Sequence, residues 1–146
     1  MSKNKIGLHF EGFKELAARF DELGGDLKKI TEKALKESQQ HVTEKIDKAF
    51  VRENMPAKGK YWTGATKKSI IRDALVEWTG NVASINVGFD LQESGMKSIY
   101  LIYGTPRMSP ARGLRAAIYG ATTRKEIGAI QQQIFEKAIS SISNGN

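Results

Sequence analysis

The sequence predicts an α+β domain in which a long N-terminal helix and a C-terminal helix pack on a small antiparallel sheet of three to four strands. Apolar residues recur at helical spacing through residues 26–51 and again through 127–142, whereas apolar and polar residues alternate in a segment between them. The predicted order is helix, helix, antiparallel meander, helix. The length fits one domain, which we assign to residues 1–146, with 1–8 and 143–146 as flexible ends.

The first half of the chain is predicted to form two helices. Apolar side chains spaced three and four apart mark a short amphipathic helix over residues 10–23, which Gly24 and Gly25 end. Asp26 stands where it can cap a second helix over about residues 26–51. A helix of roughly six or seven turns usually lies across a sheet or projects into a neighbour.

The middle of the chain is predicted to hold the sheet. Residues 52–62 contain Pro56 and Gly59 and have no apolar period, so we expect an exposed loop there. Residues 63–70 then form a short helical turn. The predicted strands are residues 74–79, 82–89 and 98–103, with Gly80 and Asn81 as a tight turn and residues 90–95 as a second connection.

The last part of the chain is predicted to return to helix. Pro106 cannot continue a β-ladder, so the third strand ends before it and residues 104–112 form a second exposed loop. A short helix follows over residues 114–119. Thr122 or Thr123 then caps the last helix. The stripe of that helix is formed by Ile127, Ile130, Ile134, Ala138 and Ile142.

The composition suits a protein, or a particle, assembled in the cytosol. No apolar run approaches the roughly 20 residues that a membrane span needs. No hydrophobic stretch follows the charged residues 1–5, so we expect no secretory signal. The sequence contains no cysteine, which rules out disulfides and thiolate metal sites.

The sequence shows no pattern of catalytic or metal-ligating residues. The two histidines, His9 and His41, have no further ligands at metal-binding spacing. The motifs Gly-x-Ser-x-Gly and Gly-x-Gly-x-x-Gly are both missing, as is the lysine of a phosphate-binding loop. A Ser-His-Asp arrangement is spatial and stays open at this point. We predict that the protein is not an enzyme and has no catalytic residue, cofactor or metal.

The net charge of +7 is concentrated in two segments. Residues 1–50 hold ten Lys or Arg against nine Asp or Glu, whereas residues 54–72 and 94–125 contain basic residues and no acidic one. Segregated positive charge favours a polyanion or an acidic protein surface, although small basic domains also carry such patches without a fixed partner. The candidate basic surface consists of Lys58, Lys60, Lys67, Lys68, Arg112 and Arg115.

Aromatic residues interleave with the basic segments. Tyr61 and Trp62 follow Lys60, and Tyr100 and Tyr103 precede Arg107. Proteins that bind single-stranded nucleic acids also combine aromatic and basic side chains. On a predicted strand, however, core packing or a subunit interface explains the tyrosines better. Sequence-independent nucleic-acid binding is therefore the alternative function.

Four motifs in order carry a resemblance to a known family. They are Phe10-Glu11-Gly12-Phe13 at the start of the first helix, Pro56 with Thr63-Gly64-Ala65-Thr66-Lys67-Lys68-Ser69-Ile70, Tyr100-Leu101-Ile102-Tyr103-Gly104-Thr105, and Met108-Ser109-Pro110 before a short helix. In order and spacing they resemble the small neck or tail-completion proteins of long-tailed bacteriophages. The resemblance covers roughly residues 8–140.

The resemblance implies a structural virion protein that acts in head–tail joining or tail completion as a ring-forming subunit around the DNA channel. Its expected partners are further copies of itself, head-closure or tail-terminator proteins and the tail-tube protein, with sequence-independent contact to packaged DNA as a further expectation. Its expected location is the neck or tail of the virion, and the host cytoplasm during assembly. The candidate assembly residues are Thr63, Gly64, Tyr100, Tyr103, Gly104, Thr105, Arg107 and Met108.

Each Gly-Thr pair also has a simpler interpretation. In an ordinary turn, glycine supplies a positive φ and threonine supplies a local hydrogen bond. The Arg and Met content of residues 104–110 favours a docking role for the second pair, whereas the two interpretations are balanced for Thr63-Gly64.

One position departs from the family pattern. Many members have Glu two residues before the Gly-Thr pair, where this chain has Ile102. If that Glu contacts a neighbouring subunit in the relatives, we expect Ile102 to make an apolar contact in its place.

Overall fold

The computed structural model describes residues 4–8, 10, 12–55, 65–80, 82–90 and 97–143. These residues form an α+β domain with long N-terminal and C-terminal helices and a small antiparallel sheet, which confirms the predicted fold class. The elements are β1 (Asn4–Ile6), α1 (Phe13–Glu22), α2 (Leu27–Ala49), α3 (Ala65–Lys68), β2 (Glu77–Thr79), β3 (Val82–Val87), α4 (Lys97–Tyr103), α5 (Leu114–Tyr119) and α6 (Ala121–Ser143).

The two N-terminal helices form where the apolar period predicts them. The Asp26 side chain accepts a hydrogen bond of 3.1 Å from the backbone N–H of Lys29. That bond satisfies one of the donors left free in the first turn of α2, so the predicted cap is confirmed. Residues 52–54, in the predicted loop, form a single turn of 3₁₀ helix.

The sheet has the order β1-β3-β2, with both neighbours antiparallel to β3. Ile6 lies opposite Ile85 in one pair, and Trp78 lies opposite Ala83 in the other. β2 is shorter than the predicted strand over residues 74–79. β1 lies within the N-terminal segment that we expected to be flexible. The sequence did not predict this strand, because three residues are too few to show the alternation of a strand.

The prediction of a third strand over residues 98–103 is wrong, because this segment forms helix α4. Ser98 and Ile102 are buried, whereas Tyr100 is exposed. Burial at positions i and i+4 belongs to a helix, while a strand would have put Tyr100 and Ile102 on the same face. The aromatic and β-branched residues of this segment favour a strand locally, and tertiary packing overrides that preference.

The core consists of two clusters that share α2. One cluster joins the sheet, α4 and α5 to α2 from Leu35 onward. Just past the end of α2, Phe50 is almost fully buried against Phe89 with ring centroids 5.5 Å apart. The other joins α1 and α6 to the first half of α2. At its centre Phe135 is fully buried and lies 5.7 Å from Phe13 and 6.2 Å from Phe20 between ring centroids.

The prediction that Thr122 or Thr123 caps the last helix is wrong, since α6 already begins at Ala121. Thr123 is buried in its first turn. The Thr123 hydroxyl lies 3.1 Å from the carbonyl oxygens of both Ala116 and Ala117 and donates to them. These carbonyls belong to the last turn of α5, where backbone acceptors lack partners within the helix. The Thr123 hydroxyl supplies their hydrogen bonds and so fixes the corner between α5 and α6.

A buried glutamine connects β1 to both long helices. The Gln131 side-chain amide donates to the carbonyl of Gly7 at 2.9 Å and to the hydroxyl of Ser38 at 3.2 Å. Ser38 in turn donates to the carbonyl of Ala34 at 2.8 Å. Since Gln131 is fully buried, its hydrogen bonds are made out of contact with water, where losing one is costly.

We predict that Gln131→Leu lowers the free energy of unfolding by about 1–3 kcal/mol, because the Gly7 carbonyl and the Ser38 hydroxyl lose their donor. The matched control is Gln132→Leu, at an exposed position where the amide donates to Glu136. The control should stay within about 0.5 kcal/mol of the parent. Urea unfolding measures both variants, and equal stabilities would contradict the role given to Gln131.

Candidate docking surface

Helix α4 presents two tyrosines to solvent. Its inner side is buried through Ser98 and Ile102, whereas Tyr100 is 54% exposed and Tyr103 is 55% exposed. The two tyrosines stand three positions apart, so they are neighbours on the outer surface of the helix. Core packing is therefore excluded as the explanation for these side chains.

A closed turn follows α4 directly. The backbone of Thr105 donates to the carbonyl of Met108 at 2.8 Å, and Met108 donates back to Thr105 at 3.1 Å. The backbone N–H of Arg107 donates to the Thr105 hydroxyl at 3.3 Å. Pro106 and Arg107 form the exposed tip. The predicted exposed loop is thus a defined hairpin-like turn at its start, and the threonine supplies the local hydrogen bond expected of a turn residue.

Gly104 makes this turn possible. Its φ is +76°, and its N–H donates to the Tyr100 carbonyl at 2.7 Å, which ends α4. A Cβ added here would lie 2.9 Å from the carbonyl oxygen of Met108 and 2.9 Å from Cδ of Pro110. Glycine is therefore required both by the backbone angle and by the space.

Helix α5 places arginines beside the tyrosines. The Arg115 guanidinium carbon lies 5.5 Å from the centre of the Tyr103 ring, within the range of a cation–π contact. Tyr103 and Arg115 line a groove of about 760 Å³ together with Arg112, Tyr119 and Arg124. A neighbouring cleft of about 620 Å³ is lined by residues 103–110.

The structure brings most of the predicted assembly residues together. Tyr100, Tyr103, Gly104, Thr105, Arg107 and Met108 are consecutive along α4 and its turn, and we call them the docking surface. Arg112 and Arg115 adjoin it. Thr63, Gly64, Lys58 and Lys60 lie outside the described residues.

Two members of the predicted basic surface neighbour different residues of α2: Lys67 acts on Asp47, whereas Arg112 lies beside Lys45. The Asp47 carboxylate accepts hydrogen bonds of 2.6 and 2.9 Å from Arg72, which lower the pKa of Asp47, and the charge of Lys67 lowers that pKa further. Arg112 instead shares a groove with Lys45. Since Asp47 follows Lys45 by two positions, the two lie roughly 200° apart around α2.

The expectation for Ile102 is also corrected. This side chain is only 5% exposed and belongs to the core cluster with Ile46 and Leu114. It packs within its own chain, so it is not available for an apolar contact with a neighbouring subunit.

Sequence reasoning missed a second set of charges on the other side of α5. Lys45 donates to the Glu126 carboxylate, whose second oxygen lies 3.5 Å from Nε2 of His41. The hydrogen bond from Lys45 lowers the pKa of Glu126 below its usual range. These residues line a groove of about 660 Å³ with Lys48, Arg112 and Thr123. No sequence pattern could have found this groove, because α2, α5 and α6 supply it from distant positions.

The described residues contain no group of three or more His, Cys, Asp or Glu side chains that could hold a metal ion. Among their helices, none is long and apolar enough to cross a membrane.

Comparison with protein-family models, with curated proteins and with solved structures found no match. The family resemblance is therefore carried by the four sequence motifs alone. The third of these motifs coincides with α4 and the start of the turn after it, and the fourth begins at Met108 within that turn.

We predict that Gly104→Ala is more destabilising than Gly24→Ala, although both glycines have nearly the same φ (+76° and +80°). At Gly24 an added Cβ meets nothing within 4 Å, so the cost is that of the left-handed backbone, about 1–2 kcal/mol. At Gly104 the close approach to Met108 and Pro110 adds about 1–3 kcal/mol. Thermal and urea unfolding of the two variants check this, and equal losses would contradict the crowding argument.

Proposed function

We propose that this protein is a structural virion component of the bacteriophage neck, which acts in head–tail joining or tail completion as a ring-forming subunit around the DNA channel. Its partners are copies of itself and the adjacent head-closure, tail-terminator or tail-tube proteins. The observation that carries the proposal is the docking surface, where two exposed tyrosines and an exposed arginine stand on a short helix and a closed turn.

The chemistry of the docking surface suits a protein interface. Tyrosine and arginine are enriched in the cores of interfaces and among the residues that dominate their binding energy. The helix and the glycine-dependent turn hold the backbone of these residues in place, which lowers the backbone entropy lost on binding. Residues 94–125 include no acid, so the surface attracts an acidic neighbour.

A closed ring needs a second, different surface on each subunit, because its contacts are heterologous. The β2–β3 hairpin offers one. Leu75 is 81% exposed, Val82 is 70% exposed, and Trp78 is 36% exposed. The exposed carboxylate of Asp73 precedes these apolar side chains along the chain, and the Glu77 carboxylate among them is paired with Lys5 at 3.0 Å. Apolar side chains with acidic neighbours complement the tyrosines and Arg107 of the docking surface, and we assign the hairpin as their partner on the adjacent subunit.

The sequence motifs support the same assignment. The Gly-Thr motif of the family that this chain resembles falls on Gly104 and Thr105. At Gly104 the positive φ and the close approach of Met108 and Pro110 leave room for glycine only. The same motif contains Tyr100 and Tyr103, and the fourth motif begins at Met108. Two of the four motifs that carry the resemblance therefore coincide with the docking surface.

We predict that a phage whose copy of this gene is disrupted produces separate filled heads and separate tails, seen by electron microscopy. Complementation with the parent gene should restore joined particles. Complementation with Tyr100→Ser/Tyr103→Ser should not, because truncating a central interface tyrosine costs about 1–2 kcal/mol, roughly tenfold in affinity for each residue.

The control for this experiment is Leu23→Ser, which removes an exposed apolar side chain outside both surfaces. It should restore joined particles as the parent does. Circular dichroism and thermal unfolding establish that both variants fold. Joined, infectious particles without the gene would rule out the neck function. Full complementation by the tyrosine variant would rule out the role of the docking surface and leave the neck function standing.

A further inference from the structure

Helix α5 stands as a ridge between two open grooves. The groove of about 760 Å³ lies on the side of Tyr103, and the groove of about 660 Å³ lies on the side of α2. Both grooves include Arg112, Gly113, Ala116 and Gly120 in their linings. The two grooves therefore form one continuous surface, which we call the α5 ridge.

Positive charge dominates the α5 ridge. Its lining contains five Lys or Arg side chains, namely Lys45, Lys48, Arg112, Arg115 and Arg124. Among the described lining residues Glu126 is the one carboxylate, and it is an ion-pair partner of Lys45. The ridge thus carries a net charge of roughly +4, which favours a polyanion.

Apart from Tyr103, the rest of the lining gives a protein partner few large apolar side chains to bury. The exposed residues at the crest are small, such as Gly113, Ala116 and Ala121. Large apolar anchors of the kind that dominate protein interfaces are not exposed at the crest. Small residues allow a close approach of the protein backbone, and high positive charge with few apolar anchors is typical of protein–DNA interfaces.

The aromatic side chains of the ridge are poorly placed for stacking on single-stranded bases. The Arg115 guanidinium already lies over the Tyr103 ring, and Tyr119 is only partly exposed. Single-strand binding depends on open aromatic faces, whereas duplex binding without sequence preference depends on phosphate contacts. The lining therefore fits the backbone of a duplex better.

We propose that the α5 ridge binds the phosphate backbone of double-stranded DNA without sequence preference. This surface is separate from Tyr100 and from the tip of the turn at Arg107. The inference extends beyond the neck function and does not rest on it, because DNA binding can be measured on the isolated chain.

The test is fluorescence anisotropy of the full-length protein with a fluorescent duplex of about 20 base pairs. With roughly four phosphates neutralised, log K falls with log salt at a slope of about −3.6, so affinity falls about 150-fold between about 50 and about 200 mM NaCl. Duplexes of unrelated sequence should give the same affinity and slope. No binding at the lower salt concentration, or a marked sequence preference, would overturn the proposal.

Charge reversal locates the site. Arg112→Glu/Arg124→Glu should weaken binding at the lower salt concentration by at least about tenfold and flatten the slope by about 2. The matched control is Lys14→Glu/Arg19→Glu on α1, where both side chains are exposed and the net charge changes equally. The control should lose less than about threefold, because it acts only at long range. Equal losses of affinity in the two variants would show that only the net charge of the protein matters, and would overturn the assignment of DNA binding to the α5 ridge.

Two further outcomes separate this inference from the neck function. Tyr100→Ser lies outside both grooves and should retain DNA binding even if it impairs particle assembly. If the parent protein fails to bind the duplex while Arg112→Glu/Arg124→Glu blocks head–tail joining, the ridge instead contacts an acidic protein surface. That result would overturn DNA binding and leave the neck function intact.

Discussion

Helix α2 has to bury side chains on several sides at once, and the positions of the other elements follow from that requirement. Ala34 and Leu35 are both fully buried although they belong to different clusters, one with α1 and α6 and the other with the sheet and α5. Successive residues of a helix point about 100° apart, so two layers must cover α2. Gln131 joins these layers through Ser38 and Gly7, where a purely apolar contact would leave the Gly7 carbonyl without this donor.

This arrangement explains why the two proposed interaction surfaces lie on short helices. α5 is held through Leu114 and Ile118, and α4 is held through Ile102. Each helix therefore buries one narrow side in the cluster that also contains the sheet. Their remaining sides are free for tyrosines and arginines. Arg115 stacks on Tyr103 and connects the docking surface to the α5 ridge. A protein contact and a phosphate contact could then form side by side, since the first uses Tyr100 and the 104–108 turn and the second uses the crest of α5.

Local patterns predicted the long helices, the cap at Asp26 and the bounds of α5, because apolar periodicity and capping depend on neighbouring residues. The same reasoning failed for α4, because a short run of aromatic and aliphatic residues fits a strand as well as a helix. In the structure, Ser98 is buried on the same side as Ile102, four positions later, as in a helix. That reasoning also missed β1, which has only three residues. Composition identified Arg112 and Arg115, but Lys45 and Lys48 join Arg112 only through the packing of α2 against α5, which no local pattern records.

We propose that the docking surface joins neighbouring subunits of a neck ring. The most direct test is a cryo-electron microscopy map of the neck in particles of a phage that encodes this chain. We predict a closed ring of this chain around the DNA channel, with Tyr100, Tyr103 and the 104–108 turn buried against the adjacent subunit. A ring in which that surface faces solvent, or a particle that lacks the chain, would contradict it.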